Sequence, residues 1–309
     1  MVRAGHKAKK TGVAPYLRNG VAGKIFNVFL YTFFVLFSFA MIYPFWNQLI
    51  LSLNEGFDAQ GGGLYFWPRV WTLDNFAFVF SNAGLMRGAF VSVLRTSVGT
   101  FTHLVATGLL AYTIIQPTFS GRRVVRIMFI ITMYFSGGLI PFYILIINLG
   151  LLNSFHMYWL PGLFGAWNML LMASFMQGLP ESMAESAKMD GAGEFRIFFQ
   201  IIVPLSTPVI AVVAIMTAVG HWNSWFDVIV FLPSGRWDTM MVMLQRIFME
   251  ADLAGQLLVE QQQQEALRNL TSHSIRAATT MIVTIPIICV YPFFQRYFVG
   301  GITLGAVKG

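Results

Sequence analysis

The chain alternates long stretches free of charged side chains with shorter polar segments. Residues 25–54 contain no Asp, Glu, Lys or Arg, and neither do residues 127–180. A membrane-crossing helix needs about 20 predominantly apolar residues. The first stretch therefore predicts one span, Ile25 to Asn54, finished or kinked near Pro44. The second is too long for one span and predicts two, Ile127 to Leu149 and Met157 to Met176, turning at Asn148 to Asn153. Val91 to Ile115, Thr207 to Phe231 and Ile275 to Phe294 complete six, the last broken or bent at Pro286. The expected class is all-α: a polytopic membrane protein with six transmembrane helices.

The polar segments orient these spans. Residues 1–24 hold Arg3, Lys7, Lys9, Lys10, Arg18 and Lys24 and no acid, and residues 116–126 hold Arg122, Arg123 and Arg126. Positive segments stay on the cytoplasmic side. Both termini, the basic tail 1–24 and the tail 297–309, are then inside. The transmembrane domain runs over 25–296, with outer loops at 55–88 and 232–275 and a charged inner loop at 180–204. Thirteen of the 20 Lys and Arg fall on inner segments, six on outer ones. Arg95, near the outer end of its span, is expected to snorkel to the interface. No small-residue cleavage pattern follows the first apolar run, so no cleaved leader is expected.

Composition agrees. The chain is 56% hydrophobic and 11% charged, with 30 Phe, whereas soluble domains carry about 25% charge. The net charge of +7 sits at membrane edges, which argues for lipid rather than nucleic acid as its partner. The single cysteine, Cys289, lies in an apolar run and reads as a small packing residue. It allows no internal disulfide and no thiol-rich metal site.

The inner loop, PESMAESAKMDGAGEFRIFFQIIVP from Pro180 to Pro204, reads as two short helices joined at Asp190-Gly191-Ala192-Gly193. Glycine permits the reversal, and Asp190 is placed to cap the second helix. Met183, Ala184 and Ala187 on one piece, and Phe195, Phe198 and Phe199 on the other, give each an apolar side. A charged loop with apolar faces between spans suits a docking element. Glu185-Ser186-Ala187, three residues, Gly191, nine residues, Ile201, one residue, Val203-Pro204 resembles the EAA motif of ABC importer permeases, E-A-A, three residues, G, nine residues, I-x-L-P. Ser186 and Val203 depart from the pattern by small changes in volume. The resemblance implies a coupling helix that fits a cleft on a cytoplasmic ATPase, with Glu185, Ser186, Ala187, Asp190, Gly191, Phe195 and Pro204 as the coupling residues.

Other segments support that resemblance and narrow it. WTLDNFAFVF (Trp71 to Phe80) and the tail QRYFVGGITLGAVKG (Gln295 to Gly309) are similar to segments of sugar-importer permeases of the maltose-importer type. SGGLIP (Ser136 to Pro141) and GHWNSWFD (Gly220 to Asp227) are similar to a subgroup associated with oligosaccharides, some containing uronic acids. The family implies a type I importer permease in a bacterial inner membrane. Its implied partners are a second permease subunit, two ATPase subunits carrying ATP and Mg, an extracytoplasmic solute-binding protein and an oligosaccharide. The chain has no G-x-x-x-x-G-K-[ST] phosphate loop, so no cofactor is expected on it and ATP hydrolysis belongs to a partner.

Three rivals remain at this stage. A membrane-embedded transferase needs clustered acids or histidines near one face, and Asp227 is the only acid within the spans. An ion-coupled transporter needs titratable groups in the membrane, and only His103 and Asp227 qualify. The nearest rival is an ABC importer for a non-sugar solute. Sugars are held by aromatic faces and by amides and hydroxyls. That nominates Tyr134, Tyr143, Asn168, His221, Trp222, Asn223 and Trp225 for the substrate pathway. Gly137 and Gly138 join them as an interruption of the third span, although the glycines suit close helix packing equally well. His103 reads equally as a polar-cavity residue or as one bonded to a neighbouring helix.

Overall fold

The computed structural model describes residues 21–257 and 272–305. The basic segment before Val21, the run Gln261–Gln264, the glycosylation-like Asn269-Leu270-Thr271 and residues 306–309 lie outside them. Fourteen α-helices follow in order among the described residues. They are α1 Val21–Ser52, α2 Gly56–Gln60, α3 Asp74–Ser81, α4 Ala83–Ile115, α5 Arg122–Tyr134, α6 Leu139–Asn148, α7 Ala166–Gln177, α8 Glu181–Met189, α9 Glu194–Ile197, α10 Val203–Leu205, α11 Thr207–Asn223, α12 Phe226–Phe231, α13 Met240–Leu257 and α14 Ser272–Gly305. A 3-10 turn covers Phe155–Tyr158, and a π-turn, Phe198–Ile202, links α9 to α10.

Helix α4 is the axis. Helices α7, α11 and α13 pack on it, and α14 packs on α11, α13 and α1. At one end of α4, Ala111, Tyr112 and Ile114 meet Met169, Met172 and Met176 of α7, Val209 and Val213 of α11, and Ile197 and Phe198. Toward the other end, Val91 joins a second cluster with Ile146, Met157, Val228, Leu232 and Val242. Helix α1 is apolar on all sides, yet it leaves Phe29, Phe33, Phe34, Phe37 and Phe39 exposed. A helix apolar all round is stable only with an apolar surrounding. Here that surrounding is lipid.

Among the described residues three helices, over Gly23–Ser52, Ala83–Ile115 and His273–Phe293, are long and apolar enough to cross unaided; the segments Glu194–Leu205 and Thr207–Asn223 are apolar together but meet at 83°. Three of the expected spans are interrupted: 127–149, at the Gly137-Gly138 break its glycines imply, and 157–176 and 207–231, where no break was expected. In the second of these, the α-helix begins only at Ala166, not near Met157. Pro161 has no N–H to donate, and Gly162 and Gly165 favour irregular backbone. The break at Ser224-Trp225 separates α11 from α12, and Phe135–Gly138 separates α5 from α6. Conversely, Pro286 does not break the last span: α14 runs on through Pro286 and Pro292.

The segment between α1 and α4 is held by amides. Asn54 Oδ1 accepts from the backbone N–H of Arg69 (2.8 Å) and Val70 (3.0 Å), while fully buried Asn75 donates to the carbonyls of Ser52 (3.0 Å) and Asn54 (2.9 Å). Asn75 belongs to the WTLDNFAFVF segment, and these bonds tie α3 to the end of α1. The amide of Asn54 and then the Arg69 guanidinium hold the Asp58 carboxyl below its usual range.

Candidate functional site

The charged loop 180–204 forms α8 and α9 joined by a tight turn. Ala192 N–H donates to the Ala187 carbonyl (2.9 Å) and Gly191 N–H to the Lys188 carbonyl (3.0 Å). This is the paired closure that ends a helix on a left-handed residue, and Gly191 has φ +77°. Asp190 ends α8 rather than capping α9, whose N-cap is Gly193, with no side-chain cap. The capping role expected for Asp190 is therefore wrong: Gly193 places the chain extended there, and Asp190 stays exposed.

The element has a packed base and an exposed tip. Ala184, Ala187 and Ala192 rest on the cluster around Ile197, Phe198 and Tyr112. Glu185, Ser186, Asp190 and Gly191 face out, Met189 is 88% exposed and Phe195 73%. Ser186 Oγ turns back to the Ser182 carbonyl (2.8 Å). Glu194 ties the tip to the bundle, accepting from Lys188 (2.8 Å) and from the Tyr112 hydroxyl (2.6 Å) at the end of α4. Lys188 first and Tyr112 second hold the Glu194 carboxyl below its usual range. An open pocket of about 220 Å³ lies between α8 and the α4 end, lined by Tyr112, Gln116, Pro117, Glu185 and Lys188. Pro204 has no N–H for the Gln200 carbonyl. Just before it the helix widens, with Val203 N–H bonding to Phe198. Helices α8 and α9 are thus joined to α4 by the Tyr112–Glu194 bond and lead into α11 through the 83° bend.

Two of the three span breaks are served by polar side chains of α4. His103 Nδ1 donates to the Gly162 carbonyl (2.7 Å), and Thr107 Oγ1 donates to the Leu163 carbonyl (3.1 Å). His103 Nε2 accepts from the Asn168 amide (2.8 Å). Gly165 must stay small, because a Cβ there would lie 2.9 Å from the His103 ring. One α4 turn-series away, Arg95 serves the second break. It is 3% exposed and buried against Asp227, with Nη1 3.2 Å from the Ser224 carbonyl and its guanidinium 4.4 Å from the centre of the Tyr158 ring. Ser224 Oγ also donates to Asp227 (2.6 Å), and the Tyr158 hydroxyl bonds to the Trp237 carbonyl. Arg95 does not snorkel: irregular backbone and an opposite charge hold it inside. Irregular backbone survives at membrane depth only where such partners exist.

The third break differs. Among the described residues, no side chain of another element bonds to the carbonyls of Phe135, Ser136, Gly137 or Gly138; Gly138 N–H takes only Ser136 Oγ (3.2 Å). Gly138 has φ +82°, and Tyr134 beside it is 79% exposed. The other pathway candidates spread over several faces. Asn223 is exposed. His221 stacks against Gly99, where a Cβ would fall 2.4 Å from Nε2. Trp222 turns to α14 and donates to the Val283 carbonyl (2.9 Å). Tyr143 stacks on Phe231 at 5.8 Å, Trp225 meets Phe226 edge-on at 6.0 Å, and Asn168 is engaged with His103.

Sequence reasoning missed Lys188, Met189, Glu194 and Tyr112 as parts of the exposed loop and its tether, and Arg95, Tyr158 and Thr107 as supports of the broken backbone. A signal for the pair existed: Arg95 and Asp227 are opposite charges within apolar stretches, and such charges pair. Tyr112 offered none, because a tyrosine at a span end also suits an interface.

An axial helix, broken spans seated on it and an exposed charged loop at one end describe a membrane permease subunit. The chain belongs to the family of binding-protein-dependent transport system inner membrane components, whose pattern matches residues 104–304. It is 30% identical over 287 residues to the polygalacturonan/rhamnogalacturonan transport system permease protein YtcP of Bacillus subtilis (strain 168), covering 93% of this chain and 99% of that protein. It is 33% identical over 296 residues to protein LplC of the same organism, covering 95% and 98%. A solved bacterial ABC transporter involved in the import of the acidic polysaccharide alginate contains a chain that superposes with a TM-score of 0.80 at 25% identity, covering 90% of this chain and 98% of that one. The fold is thus the all-α permease fold of type I ABC importers.

Proposed function

We propose that this chain is one of two permease subunits that carry an oligosaccharide, in the first instance one containing uronic acids, from an extracytoplasmic binding protein into the cytoplasm. Two ATPase subunits holding ATP and Mg drive it, and both of its termini lie in the cytoplasm. The observation that carries the reading is the docking element itself: an exposed Met189–Phe195 tip on a rigid base wired to α4 and α11. Glu185, Ser186, Ala187, Asp190, Gly191 and Phe195 are its contact and shaping residues, and Pro204 sets the bend behind it. The relatives' named substrates support the sugar assignment.

The unserved break at Gly137-Gly138 supports a place for the pathway. Its carbonyls need a wet cavity or a partner subunit, and Tyr134 and Asn223 supply an exposed ring and amide of the kind sugars bind. Reconstitution with the partner permease, ATPase and binding protein tests the proposal. Uronic oligosaccharides presented by the binding protein should raise ATP hydrolysis, with vanadate-sensitive uptake into proteoliposomes. Uptake that is insensitive to vanadate and abolished by a protonophore would overturn it.

A further inference from the structure

We propose that the chain carries a binding site for the headgroup of an anionic phospholipid at the α4–α5 corner. An open cavity of about 470 Å³ lies there, lined by Arg122, Arg123, Arg126, Ile114, Ile115 and Gln177. No acidic side chain lines it, and among the described residues none of the three guanidiniums makes a side-chain hydrogen bond or ion pair. Arg126 is half-buried while Arg122 and Arg123 are exposed, so charge is stacked from the cavity floor to its rim.

The surroundings select an amphiphile. Helix α5 has no buried residue, and Ile127, which lines the cavity, and Met133 are exposed apolar side chains on the arginine-bearing side of the helix. A phosphodiester satisfies guanidinium forks through paired charge-assisted bonds, and acyl chains cover the adjoining apolar side chains. A free anion would use only the first feature, and an acidic protein surface would leave the second bare. The site lies at the same end as the docking element, since Ile115 and Gln177 line both this cavity and the pocket beneath α8. Juxtamembrane arginines at that boundary attract anionic lipid. The placement in the cytoplasmic leaflet rests on the proposed orientation; the lipid chemistry does not.

The test uses the assembled importer in mild detergent, titrated with phosphatidylglycerol or phosphatidylcholine and read by native mass spectrometry. Wild type should hold phosphatidylglycerol in preference to phosphatidylcholine. Affinity should fall about fivefold for each arginine changed to glutamine, to about a hundredfold in R122Q/R123Q/R126Q. The R122K/R123K/R126K variant should keep most of the preference; if the triple glutamine variant fails to assemble, R126Q alone reads the site. Equal binding of the two lipids by wild type would overturn the proposal, as would unchanged phosphatidylglycerol binding by the glutamine variants. Displacement of the lipid by millimolar inorganic phosphate would make this a phosphate site instead. Loss of the ATPase with lipid binding unchanged would make it a protein contact. Impermeant thiol labelling of R123C reads the side of the membrane separately, and transport assays read the substrate separately.

Discussion

The Arg95–Asp227 pair sets a quantitative test of how the bundle is held. Asp227→Asn removes the negative charge and leaves Arg95, 3% exposed, as a cation without its counter-ion. Breaking a buried pair in this way costs about 3–5 kcal/mol. Two features place this case at the low end. The Asp227 side chain is 25% exposed, and the Ser224 carbonyl and the Tyr158 ring continue to hold the guanidinium. The expected loss is about 3 kcal/mol. In Arg95→Met with Asp227→Asn no charge is stranded. The remaining cost is the Ser224 carbonyl left without its donor, about 1–2 kcal/mol. The double variant should therefore be more stable than Asp227→Asn alone. Reversible unfolding of the purified chain in mixed micelles, followed by circular dichroism, measures all three. An Asp227→Asn loss below about 0.5 kcal/mol, typical of surface changes, or strict additivity in the double variant would refute the argument.

Gly191→Val forces a β-branched residue to φ +77° at a strain of about 1–3 kcal/mol; the chain should still insert, with weaker co-purification of the ATPase and lower uptake. Tyr112→Phe removes one of the two groups that depress the Glu194 carboxyl. A depressed carboxyl contributes stability above its unfolded value, near 4.5, and loses it as pH falls through the lower folded value. Wild-type ATPase retention should thus drop in that acid window, and Tyr112→Phe should show a shallower drop from a lower start. Asn168→Ala strands His103 Nε2 and should cost about 1–3 kcal/mol of stability, whereas Tyr134→Ala and Asn223→Ala should lower uptake at unchanged stability. Gly99→Ala puts a Cβ 2.4 Å from His221 Nε2 and should destabilise by about 1–3 kcal/mol, read by the same unfolding assay.

Much of this protein is written in its periodicity. Charge-free stretches longer than a bilayer needs locate the membrane segments, basic runs propose their sides, and Asp190-Gly191-Ala192-Gly193 marks the reversal between α8 and α9. These are local properties: a run of apolar side chains demands lipid wherever it folds, and a glycine accepts positive φ without help. The Gly137-Gly138 break was legible in its glycines; the other two were not. Pro161, Gly162 and Gly165 weaken a helix, but Pro286 and Pro292 weaken one as much and α14 continues through them. The difference is tertiary. His103 and Thr107 of α4 stand where they can take the freed carbonyls of Gly162 and Leu163, and Arg95 stands where it can take that of Ser224. Whether a backbone group in lipid can be released from its helix depends on a donor about 60 to 130 positions away in the chain, and no local pattern encodes that meeting. The same holds for the docking element: its motif lies within one stretch, but its tether to the bundle is the Tyr112–Glu194 bond, made only once α4 and α9 are packed.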